Sequence, residues 1–194
     1  YKKFGGRLVV YCSKSLKVFM QHGVTGIKRM YEINTKLNDY DIVCCSSPLE
    51  KQYLLEAGYK QKQIMQTGFP RHDTLASYGS NRQRSARYIL YAPTFSPSLT
   101  SASFLLKELE KLAQKKDYLI LIKFHDKMAA ELIQQYRKLA ADNKNVIFEE
   151  EPNIVKFLLM ADLLISDTSS VVYEFLLLDK PVITFRNNAE NILW

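Results

Sequence analysis

Tyr118–His125 reads YLILIKFH, a run apolar at nearly every position, and a strand built from it has no face to give to water. A strand of this kind belongs inside a parallel sheet, because crossover helices cover such a sheet on both sides. Its flanks agree. Before it come RYILYAPTF, β-rich and ending at Pro93, and a segment Ser101–Lys116 with Phe104, Leu105, Leu109 and Leu112 at helical spacing. After it come a helical pattern at Lys127–Ala141, the strand NVIFEE, a helix at Ile154–Ala161, the strand DLLIS, a helix at Ser169–Leu178 and the strand PVITF. Strand and helix in alternation with short connections predict a doubly wound, Rossmann-like α/β domain over residues 83–194.

The first part follows the same rhythm less completely. RLVVYC, KVFMQHG, DIVCCSS and QIMQTGF read as strands, with one helix from Pro48 to Ala57. Pro48 suits a first helical turn and Gly58 suits a stop. Residues 1–82 therefore read as the later part of a second Rossmann-like domain whose beginning is missing. Ala76–Arg87, ASYGSNRQRSAR, reads as the linker. The C-terminal domain is expected to lack its last helices. The chain opens without Met, which fits a fragment, and YKKFGGRLVV is too short in apolar residues for a leader.

Charge separates the two parts. Residues 1–86 carry 14 Lys and Arg against 6 Asp and Glu, whereas residues 87–194 carry 13 against 14. A basic first part suits an anionic partner, whether nucleic acid, a phosphate-bearing polymer or an acidic membrane surface, and equally suits a plain solvated cationic surface. Nucleic acid is disfavoured, because Tyr31, Tyr40, Tyr53 and Tyr59 do not interleave with the basic residues as a stacking surface requires. Cys12, Cys44 and Cys45 read as small core residues of a reducing compartment, which places the chain in the cytoplasm. No run is long enough to span a membrane, and no dinucleotide fingerprint or P-loop is present.

Ligands of open parallel sheets bind beyond the carboxyl ends of the strands. His22 and Gly23 follow one predicted strand, Arg71 and His72 another, His125 a third, and Asp167-Thr168-Ser169-Ser170 a fourth. Asp167 can cap the following helix, and the hydroxyls of Thr168, Ser169 and Ser170 lie where a helix start attracts phosphate. The same residues also make an ordinary cap. His125 suits contact with a pyrophosphate or a satisfied polar place at a sheet edge. Arg71 suits a phosphate or Asp73. His22, with Gly23 allowing a sharp turn and Lys28 nearby, suits a general base or a structural role.

These motifs, in this order, resemble the CDP-glycerol glycerophosphotransferase family, the primases and polymerases of teichoic-acid synthesis. Gln21-His22-Gly23 with Lys28, Gly68-Phe69-Pro70-Arg71-His72-Asp73, Tyr91-Ala92-Pro93-Thr94-Phe95, Lys123-Phe124-His125 and Ser166-Asp167-Thr168-Ser169-Ser170 with Lys180-Pro181 carry the resemblance. It implies two Rossmann-like domains of GT-B type, the N-terminal one binding acceptor and the C-terminal one a CDP-linked donor. It implies transfer of glycerol phosphate or a related phospho-polyol to a cell-surface polymer or lipid-linked acceptor, without a metal or other cofactor, at the inner face of the cell membrane. His22 would be the base and His125 would contact the donor. Ser169, Ser170, Thr168 and Arg71 would meet its phosphates, with Lys28, Asp167 and Gly23 in support. Gln21, Val24-Thr25, Asp126 and Thr168 depart from the family pattern, at motifs facing substrate. A nucleotide-sugar glycosyltransferase or UDP-N-acetylglucosamine 2-epimerase-like enzyme of capsule or lipopolysaccharide synthesis is the alternative. Oligomeric state is not legible.

Overall fold

The computed structural model describes residues 15–20, 40–70, 73, 75 and 87–187. The RLVVYC strand, His22, Gly23, Lys28, Arg71, His72 and residues 76–86 of the expected linker lie outside them. Arg87, read as the linker's last residue, instead opens a strand. The chain divides into two compact units, the break falling after Pro70.

The first unit holds a parallel sheet of β1 (Val18–Phe19), β2 (Ile42–Cys45) and β3 (Ile64–Gln66), in that order. Helix α1 (Pro48–Glu56) crosses between β2 and β3. Its start is built from four residues, Ser46, Ser47, Pro48 and Glu50. Ser47 Oγ accepts the Glu50 N–H at 3.2 Å, Pro48 occupies the first turn, and Glu50 accepts the Ser46 N–H and hydroxyl, each at 2.6 Å. Donors that a helix start would leave open are thereby satisfied. Gly58, at φ 92°, ends the helix in the left-handed conformation that only glycine adopts without strain. Val43, Cys45, Leu54, Tyr59 and Ile64 form the core, with Phe19 and Tyr40 packed against it.

In the second unit the expected alternation is complete: β4 (Arg87–Tyr91), α2 (Leu106–Ala113), β5 (Tyr118–Lys123), α3 (Ala130–Asp142), β6 (Val146–Glu149), α4 (Val155–Met160), β7 (Leu163–Ser166), α5 (Val171–Leu176) and β8 (Val182–Thr184). All five strands are parallel, in the order β6-β5-β4-β7-β8. Ile120, Leu121 and Ile122 of β5 are buried, as a strand covered on both faces requires. Each such side chain contributes about 1.5–3 kcal/mol by leaving water. Tyr91, Phe124 and Tyr136 form an aromatic cluster below the carboxyl ends of β4 and β5; Phe124 and Tyr136 meet edge-to-face at 4.8 Å. Tyr136 Oη donates to the Ala102 carbonyl at 2.9 Å, tying α3 to the segment before α2.

Three helices start later than their patterns predict. Ser101–Leu105 forms turns ahead of α2, and Lys127–Ala129 precedes α3 without joining it. The helix expected at Ser169–Leu178 shortens to α5, which has Ser170 at its N-cap. Asp179, at φ 53°, and Lys180 then lead into β8. Lys180 Nζ donates to the carbonyls of Leu158, Leu159 and Ala161 at the end of α4.

Candidate active site

The chain lays β5 and β6 on one side of β4 and returns to lay β7 and β8 on the other. The reversal puts the switch point between β4 and β7, the place where open α/β sheets bind ligands. Three expected motifs converge at or beside it: Tyr91–Phe95 leaving β4, His125 just beyond β5, and Asp167–Ser170 leaving β7.

Asp167 holds this end of the sheet together. It is fully buried, and its Oδ1 accepts the Thr94 N–H at 2.8 Å while its Oδ2 accepts the Ser101 N–H and hydroxyl, each at 2.7 Å. A buried carboxylate is tolerated only where donors of this kind replace its water shell. Its oxygens reach across to the loop after β4, a role not expected from the sequence, which offered it as the cap of the following helix. Ser170 holds the N-cap position of α5 with no side-chain cap bond. Ser101 Oγ spends its proton on Asp167, so in its 2.9 Å contact with Tyr91 Oη it accepts, and the tyrosine donates. Burial first, and then the neighbouring Tyr136, push the Tyr91 phenol far above its ordinary value, so it stays protonated. Burial likewise pushes Tyr136 up to about 12.

Other bonds secure the same loop. Ser166 Oγ donates to the Ala92 carbonyl at 2.6 Å, and Asn187 Nδ2 to the Leu99 carbonyl at 2.8 Å. Phe104 stacks on Phe185 at 5.5 Å. The loop between β4 and α2 is thus fixed by residues from the carboxyl ends of both β7 and β8.

His125 is exposed at the adjacent strand end. Its Nδ1 accepts the Lys127 N–H at 3.1 Å, so the neutral ring carries its proton on Nε2. Phe95 lies against the ring, centroids 4.5 Å apart and planes inclined by 39°, and Lys127 Nζ sits 5.5 Å from the centre of the same phenyl ring. The imidazole is held with an N–H to offer, against a phenyl ring that also carries a cation. Of the Asp167–Ser170 stretch, Ser169 and Ser170 are partly exposed. Thr168 is not: its Oγ1 is buried without a hydrogen-bond partner among the described residues. A donor at this end of the sheet would meet the two serines before the threonine.

The structure therefore gathers His125, Asp167, Thr168, Ser169 and Ser170 at the carboxyl ends of neighbouring strands in one unit, while His22, Gly23, Lys28 and Arg71 lie outside the described residues. Sequence reasoning assigned no role to Phe95 or Ser101. Their signal was position alone, one at the end of the Tyr-Ala-Pro-Thr-Phe motif and one before a helical pattern. In the first unit, Ser46 and Ser47 are committed to starting α1, and a cavity of about 10 Å³ bordered by Met20, Cys45, Glu50 and Phe69 has room for about one water. Among the described residues no group of three or more His, Cys, Asp or Glu is placed to hold a metal ion. No described helix is long and apolar enough to cross a membrane.

A family model of CDP-glycerol:poly(glycerophosphate) glycerophosphotransferases matches residues 13–191. The chain belongs to this family. A teichoic acid glycerol-phosphate primase of Bacillus spizizenii is 37% identical over 107 residues, which is 54% of this chain and 26% of the relative. The teichoic acid glycerol-phosphate primase of Bacillus subtilis is 27% identical over 197 residues, covering 91% of this chain and 49% of the relative. This glycerophosphotransferase-family chain thus spans half or less of the length of these relatives. Its fold is shared with the wall teichoic acid polymerase TagF, at a TM-score of 0.62 and 20% identity over 87% of this chain and 48% of that one. The expected class, parallel α/β units of GT-B type, is the class observed.

Proposed function

We propose that the chain is part of a transferase moving glycerol phosphate, or a related phospho-polyol, from a CDP-linked donor to a hydroxyl of a cell-wall polymer or lipid-linked acceptor. The observation that carries this reading is the switch-point arrangement, in which His125, with its proton on Nε2, shares one end of the sheet with the half-exposed Ser169 and Ser170. Family membership supplies the reaction class. An acceptor oxygen attacks the phosphorus that carries the glycerol, the diphosphate bridge breaks, and CMP leaves. The new charge falls on the departing phosphate, where a His125 N–H and serine hydroxyls are suited to stabilise it. The acceptor's proton passes to His22 in this reading, and Arg71 and Lys28 add positive charge. The reaction needs no metal, and the basic first part meets anionic polymer or acidic lipid at the inner face of the membrane.

Calorimetric titration of the full-length protein with CDP-glycerol, CDP-ribitol and UDP-sugars tests the reading. CDP-glycerol or CDP-ribitol should bind in the presence of EDTA, and His125→Ala should weaken binding at least about tenfold. A preference for UDP-sugars would transfer the assignment to a nucleotide-sugar enzyme. Binding that requires a divalent cation would overturn the metal-free step.

A further inference from the structure

Asp167, Thr94, Phe95 and His125 stand at the ends of three neighbouring strands, β7, β4 and β5, and each touches or adjoins the next. We propose that Asp167 is a positioning residue for His125, acting through the loop it staples and the phenyl ring that loop presents.

The loop from Thr94 to Ser101 is gripped at both ends by one carboxylate, Oδ1 on Thr94 and Oδ2 on Ser101. Phe95 directly follows the first gripped residue, so the Asp167–Thr94 bond sets where its Cα lies. From there the ring reaches the next strand end and covers one side of the imidazole at 4.5 Å. The Lys127 N–H fixes Nδ1, and the Lys127 ammonium rests near the same phenyl ring. His125 is exposed, and an exposed imidazole otherwise turns between rotamers freely. A phenyl ring packed at a tilt against the imidazole and a hydrogen bond to Nδ1 together define where Nε2 points. Asp167 is fully buried and takes three donors from a single loop, which makes it the rigid end of the device. Side chains that seat a reacting group in this way set rates without touching substrate, and displacement by about 1 Å can cost 100-fold.

The inference rests on the reading that His125 meets the donor, so its test needs a readout independent of donor. The His125 ring protons, assigned in the full-length protein by comparison with His125→Gln, carry a ring-current displacement from Phe95. Phe95→Leu should abolish that displacement while leaving the thermal midpoint nearly unchanged, and Phe95→Tyr should restore it. Asp167→Asn should move the same resonances in the same direction. Should Asp167→Asn not fold, Ser101→Ala, which removes one of the three donors, should give a smaller movement of the same sign. CDP-glycerol binding should weaken up to about tenfold in Phe95→Leu, no further than in His125→Ala, and recover in Phe95→Tyr. A folded Asp167→Asn or Ser101→Ala protein whose His125 resonances stay in place would overturn the relay. Resonances that move as expected in a protein binding no CDP-glycerol would uphold the relay and sink the functional reading instead.

Discussion

The ammonium of Lys180 donates to the carbonyl of Ala161 at 2.7 Å, from a chain segment that has passed through β7 and α5 in between. With its bonds to Leu158 and Leu159, this one side chain closes the end of α4 and fixes the entry to β8. Carbonyls at a helix end need such partners, and a cation there also meets the negative end of the helix dipole. Lys180→Met keeps an unbranched apolar side chain and removes both the charge-assisted bonds and the ammonium over the Phe175 ring. It should lower stability by about 2 kcal/mol, read as a fall in the urea midpoint with an unchanged slope.

Tyr136 gives the second unit an alkaline limit. Its phenol is pushed up to about 12 by burial, against an ordinary value near 10 in the unfolded chain. The folded state thus holds the proton more tightly, and the unfolded state loses it first as pH rises. The contribution is intact below about pH 10 and disappears as pH climbs through about 12. Circular dichroism over that range should show stability falling. Tyr136→Phe should be weaker at neutral pH by about 1 kcal/mol, for the lost bond to Ala102, with a flatter alkaline decline.

Glu50 carries the start of α1. Its side chain is largely buried and takes both donors of Ser46. Glu50→Ala leaves those donors without an acceptor and should cost about 1–3 kcal/mol. Because the chain forms two units, hydrogen exchange should show the loss in residues 40–70 and leave β4 and β5 protected.

Cys45 should be slow to alkylate in the native protein. Burial first, and Glu50 second, push its thiol above the ordinary value, which removes the reactive thiolate. Iodoacetamide labelling followed by mass spectrometry should find Cys45 unmodified until urea unfolds the first unit. Rapid native labelling would count against this packing.

Much of the fold was legible because it is written locally. β5 shows itself by having no polar face, and the alternation around it leaves little choice of architecture. Pro48 and Gly58 mark α1 by their own backbone restrictions. The errors fall where a distant partner overrides the local pattern. Ser101 begins a helical-looking sequence, yet its N–H and hydroxyl belong to Asp167, and the helix waits until Leu106. Lys127 is the local exception: it gives its N–H to His125, two residues back, and α3 waits until Ala130. Asp167 beside two serines looks like a helix cap. Only the strand order, which brings β7 alongside β4, reveals where its carboxylate goes.

The central position of β4 has a further consequence, during synthesis. Thr94 and Asp167 are 73 residues apart, and β5, α3 and β6 are all made between them. The nascent chain can pair β4, β5 and β6 while the loop after β4 still lacks the carboxylate that secures it. The geometry around His125 is therefore completed late, by a strand that must dock on the far side of a sheet already under construction.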